Sequence, residues 1–64
     1  MLNDDQIIGA LRSKGLNITN TAKIIGVTKQ AVSLIIKRKG TSHYIQKYIA
    51  ELIGLPYSVV WGDK

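Results

Sequence analysis

Ala22, Gly26, Val32 and Ile35 stand at the spacing that two short helices need to cross steeply through a tight turn. Where the two backbones approach, only a small side chain fits, and Ala22 supplies it. The turn needs a residue that takes a positive φ cheaply, and Gly26, four positions on, supplies that. Val27, Val32 and Ile35 must then face inward so that the second helix is held. On a wheel that starts at Val32, Ile35 lies about 60° to one side and Ile36 about 40° to the other. Gln30, Ser33 and Lys37, with Leu34 among them, fall about 100–160° away on the opposite half, and Lys29 stands in the first turn. One apolar half and one hydrogen-bonding half is the pattern of a helix-turn-helix.

The same segment lies in a field of one sign. Between Asp5 and Glu51 there are eight basic residues (Arg12, Lys14, Lys23, Lys29, Lys37, Arg38, Lys39 and Lys47) and no acidic one. A net charge of +5 on 64 residues points to a polyanionic partner. Geometry for a DNA groove and charge for a phosphate backbone therefore coincide, and double-stranded DNA is the expected partner. A chain of this length makes one domain, 1–64, close to the lower limit for a core without staples. Having no cysteine, it has neither disulfides nor a thiolate metal site. No apolar run approaches the roughly 20 residues of a membrane span. The start, Asn3-Asp4-Asp5, is unlike a signal peptide. A cytoplasmic, membrane-free protein is the expectation.

Catalysis is argued against by inventory. Asp4, Asp5, Glu51 and Asp63 sit towards the two ends, and His43 is the single histidine. These make no convergent carboxylate pair, metal cage or nucleophile–base pair. A phosphate-binding glycine loop is also lacking. The chain reads as a non-enzyme without cofactor.

Turn residues divide the chain into about five short helices, and no segment alternates like a strand, so the fold class is all-α. Asn3 caps the first helix, with Gln6 completing a capping box, and Gly15 ends it. Asn17 caps a second helix that runs to Ile25 with Ile18, Ala22 and Ile25 on one face. Thr28 caps a third from Lys29 to about Lys39, stopped by Gly40. Thr41 or Ser42 caps a fourth, in which Tyr44, Ile45, Tyr48, Ile49, Leu52 and Ile53 form a wide apolar stripe ended by Gly54. Leu55-Pro56 opens a closing turn from Tyr57 to Trp61, with Pro56 at its first position.

The start of the second motif helix is the part brought to base edges in such motifs. Thr28, Lys29, Gln30, Ser33, Leu34 and Lys37 are therefore the base-reading candidates. Lys29 suits guanine O6/N7 and Gln30 the adenine N6/N7 pair. Leu34 is suited equally to a thymine methyl and to a neighbouring side chain. Lys37, with Arg38 and Lys39, is also placed to neutralise phosphates, which fix register without reading sequence. Thr41 and Ser42 at the next helix start, and Asn17, Thr19, Asn20 and Lys23 on the preceding helix, complete the phosphate candidates. His43 reads as solvated and Trp61 as a lid over Ile49, Leu52 and Ile53. Three tyrosines exceed what so small a core can bury; one or two, with Val59, are expected to form a patch that a second subunit covers.

These residues resemble the lambda-repressor-like group of helix-turn-helix domains, the Cro and repressor class, a compact cluster of about five helices. A closer similarity is to the Ner family of small phage regulators. It is carried by Ile7 to Arg12 (IIGALR), Lys14 to Ile18 (KGLNI), Ile49 to Pro56 (IAELIGLP) and the pair Val60-Trp61. The loop Gly40-Thr41-Ser42 and the ending Gly62-Asp63-Lys64 differ from the proline-bearing versions of that family. The resemblance implies transcriptional control, often of phage lysis–lysogeny genes, with DNA contacts at Lys29, Gln30, Ser33 and Lys37. A homodimer spanning half-sites about 10 bp apart is expected. The competing class is a protein-interaction module on the same fold, such as an antitoxin or anti-repressor adaptor. A nonspecific nucleoid or RNA binder is a third reading, against which Gln30 and Ser33 argue.

Overall fold

Five helices follow one another in the computed structural model, which describes residues 1–40 and 42–62. They are α1 (Asp4–Ser13), α2 (Ile18–Ile25), α3 (Lys29–Ile36), α4 (His43–Ile53) and α5 (Tyr57–Trp61), with no strand among the described residues. Thr41, an expected phosphate contact and alternative cap of α4, lies outside the described residues, as do Asp63 and Lys64.

Side-chain oxygens start the first four helices by accepting otherwise unpaired backbone N–H groups. Asn3 Oδ1 accepts from Gln6 N at 2.8 Å while Gln6 Oε1 accepts from Asn3 N at 2.9 Å, closing the capping box. Asn17 Oδ1 accepts from Asn20 N at 2.7 Å, Thr28 Oγ1 from Ala31 N at 3.1 Å, and Ser42 Oγ from Ile45 N at 3.4 Å. Pro56 precedes α5 without a side-chain bond.

Left-handed residues stop the helices. Gly15, Gly26 and Gly54 follow α1, α2 and α4 with φ of 76°, 88° and 84°, the conformation glycine takes without a Cβ penalty. The third helix departs from expectation. It ends at Ile36 instead of running on to Lys39, because Arg38 takes φ 59° and turns the chain before Gly40 is reached. Arg38 N donates to Ile35 O at 3.0 Å and Lys39 N to Leu34 O at 2.9 Å, the crossed bonds of a Schellman closure. An L-residue pays about 1–2 kcal/mol for this conformation.

The core draws on every helix. Ile7, Val32, Ile49 and Val60 are wholly shielded, and Leu11, Ala22, Ile25, Ile35, Ile36, Ile45 and Ile53 pack with them. Ala22 lets α2 approach α3, as its size requires. Trp61 is buried, and its indole N–H donates to Gln46 O at 2.7 Å. Tyr44 does not belong to the buried stripe of α4. It is 59% exposed, stands edge-on to Tyr48 with ring centroids 5.9 Å apart, and donates its hydroxyl to Ile25 O at 3.3 Å. Tyr48 and Tyr57 are half-buried and Val59 is exposed.

On α2 the buried face holds Ala22 and Ile25 as expected but also takes in Thr21. Thr21 is fully buried, whereas Ile18 is only half-buried. Among the described residues the Thr21 hydroxyl has no hydrogen-bond partner. A buried polar group left unpaired costs about 1–3 kcal/mol, while an apolar group of the same shape does not. Thr21→Val is therefore expected to raise the unfolding free energy by about 1 kcal/mol in a urea titration. Thr21→Ser, which keeps the hydroxyl and loses the methyl, should lower it; the opposite order would show that the hydroxyl is satisfied in solution.

Candidate nucleic-acid interface

The crossing of α2 and α3 sets the starts of both helices side by side. Between them lies a depression of about 250 Å³ lined by Ile18, Lys29, Gln30 and Ser33. Ile18 is also a wall of a neighbouring depression of about 310 Å³, whose other walls are Ile8, Arg12, Asn17 and Thr19. The two form one continuous strip across the ends of α1, α2 and α3. Three of the expected base readers and two of the expected phosphate contacts thus share a surface.

The strip is rich in donors. The oxygens of Asn17, in the strip, and of Thr28, which lines neither depression, accept backbone N–H groups in their caps, so the Asn17 amide N–H groups and the Thr28 hydroxyl proton are left to donate elsewhere. Neither α2 nor α3 has an acidic residue in its first turn. The positive ends of both helix dipoles are therefore not offset by carboxylates of their own. Phosphate oxygens accept from such an arrangement at low cost.

The remaining candidates separate by position. Lys29 and Gln30 are exposed in the first turn of α3, and Ser33 is half-buried one turn later. Leu34 is 47% exposed. Lys37 follows the last residue of α3 and is exposed, as is Lys39. Asn20 and Lys23 are exposed on α2 but line neither depression. Ser42 is engaged as the cap of α4. His43 is exposed, though not merely solvated: its ring centroid lies 5.0 Å from that of Tyr57.

Arg38 departs most from expectation. Its Nη2 donates to Leu2 O and, at 3.4 Å, to Val60 O, and its guanidinium lies 5.5 Å from the Trp61 ring centroid. The group expected to meet phosphate is exposed but is also held, through Nη2, at the seam between the first residues and α5. Conversely, Arg12 and Ile18 are in the strip although the spacing argument passed over them. Ile18 was expected on the inner face of α2, and Arg12 only as one of the eight basic residues. The available signal was the position of Arg12 inside the acid-free stretch.

Two capped helices joined by a left-handed glycine, the second buried along one side and donor-rich along the other, define a helix-turn-helix DNA-binding domain. Over residues 2–64 the chain matches the family model described as winged helix-turn-helix DNA-binding, and it belongs to that family. No curated protein and no solved structure matches the chain. The β-hairpin that the word winged denotes has no counterpart among the described residues.

Lys37, at the far end of α3 from the strip, provides a test of how far contact extends along the helix. Lys37→Ala is expected to weaken binding to all duplexes alike and to reduce the slope of log K against log salt by about one. An unaltered slope would remove Lys37 from the phosphate contacts.

Proposed function

We propose that this chain is a sequence-specific transcriptional regulator of the phage repressor, Cro or Ner-like type, which inserts α3 into the major groove of double-stranded DNA. The observation that carries the reading is the grouping of Lys29, Gln30 and Ser33 around one depression at the start of α3. A nonspecific binder needs cations there, but it has no need of a glutamine amide and a short hydroxyl on the reading face. Lys29 reads guanine, Gln30 reads adenine, and Ser33 is short enough for the helix to sit deep. Asn17, Thr19 and Arg12 hold the adjacent phosphates, and Lys37 and Lys39 those beyond the far end of α3. The protein acts in this reading as a homodimer on a two-fold operator, in the cytoplasm of a bacterial or phage-infected cell, and catalyses no reaction.

The second reading, an antitoxin or anti-repressor adaptor that captures another protein, draws on exposed apolar residues. Tyr44, Leu55 and Val59 are 59%, 39% and 43% exposed and lie outside the α2–α3 strip.

Selection from a random duplex library at about 150 mM salt, where purely electrostatic binding is already weakened, separates the two readings. Enrichment of a palindrome with half-sites one helical turn apart is expected. An unenriched library would overturn the regulator reading in favour of a protein partner. On the enriched site, Gln30→Ala should cost about 1–3 kcal/mol and change which sequences bind best. Equal losses on all duplexes would exclude Gln30 as a base reader.

A further inference from the structure

Arg38 occupies a backbone position that the rest of the chain gives to glycine. The left-handed residues after α1, α2 and α4 are Gly15, Gly26 and Gly54, whereas after α3 the same conformation is taken by an arginine at φ 59°. A non-glycine residue held there, with its side chain bonded far away in sequence, indicates a constraint imposed by the side chain. That side chain reaches two separate segments. Nη2 donates to Leu2 O before α1 and to Val60 O in α5, and the guanidinium lies over Trp61. Leu2 N donates to the same Val60 O at 3.1 Å, so one carbonyl joins all three segments.

We infer that Arg38 is a positioning residue for DNA recognition: it ties the end of the recognition helix to the N-terminal segment and to α5, and so fixes where Lys37 and Lys39 stand. The inference rests on the regulator reading for its DNA consequence. The geometric part stands independently of it. Both carbonyls are bonded by one nitrogen, Nη2, while the flat face of the guanidinium covers the Trp61 ring; a lysine ammonium keeps the charge and can donate but has no such face. A glycine would adopt the backbone more easily yet make none of the contacts.

The test compares the full chain with Arg38→Lys and Arg38→Gly, first by amide exchange and then on DNA. Without DNA, the Lys37 and Lys39 amides, bonded to Ser33 O and Leu34 O, should exchange faster in Arg38→Lys than in the parent chain. Unchanged exchange would overturn the inference whatever the protein binds. On a site selected by the parent chain, both variants should bind about tenfold more weakly and with a salt slope reduced by about one, because Lys37 and Lys39 lose their hold on phosphates even where Arg38→Lys keeps the charge. If Arg38→Lys binds like the parent and Arg38→Gly loses about one unit of slope, Arg38 is a phosphate ligand and the inference fails. Equal binding by all three chains would also overturn it. Failure of the parent chain to select any sequence strikes the regulator reading alone, and the exchange result still decides the geometric part.

Discussion

A helix of eight residues does not hold its shape in water, because its few internal hydrogen bonds barely offset the cost of nucleation. The third helix exists because Val32, Ile35 and Ile36 are driven into the core. Each such burial contributes about 1.5–3 kcal/mol. Everything on the outer face follows from that anchorage. With the apolar side fixed against α2, the spacing of 3.6 residues per turn turns Gln30 outward and puts Ser33 at the rim, while Lys29 is exposed by its place at the helix start. The small Ala22 and the left-handed Gly26 matter because they let α2 come close enough to provide the other wall.

Positive charge is divided between two uses. Lys29, Lys37 and Lys39 are exposed along and beyond α3. Other cations serve the fold. A Cβ added at Gly54 would lie 3.9 Å from Lys14 Nζ, so this ammonium stands at the C-terminal end of α4, where the helix dipole favours it. Arg38 is bonded to backbone carbonyls on two sides. A net charge of +5 thus overstates the number of groups free to meet a polyanion. Asn17 and Thr28 show the converse economy, since each caps a helix with an acceptor and keeps a donor for something else.

Local rules made much of this legible. The capping box of Asn3 and Gln6, the caps Asn17, Thr28 and Ser42, and the stops Gly15, Gly26 and Gly54 each depend on residues within a few positions, and the structure has them all. The end of α3 was not legible. A glycine at position 40 suggested the stop, but the turn occurs at Arg38, whose partners Leu2 and Val60 are 36 and 22 residues away. No periodicity encodes a bond of that range. Thr21 was hidden for a related reason, because a wheel ranks residues by polarity and α2 buries a hydroxyl against it. In the strip, Lys29, Gln30 and Ser33 were readable because they belong to one helix, while Arg12 and Ile18 joined them only through the packing of α1 and α2.

The absence of a hairpin among the described residues has a consequence for information content. An eight-residue helix is about 12 Å long, which covers about four base pairs along a groove. A four-letter word of that length carries roughly 8 bits and recurs by chance about once in 250 bp, far too often against the 10⁶–10⁹ sites of a genome. In the proposed dimer, two copies reading one operator would double the word to roughly 16 bits, and the remaining discrimination would come from the shape and stiffness of the DNA between the half-sites. A domain this small addresses a short genome much better than a long one.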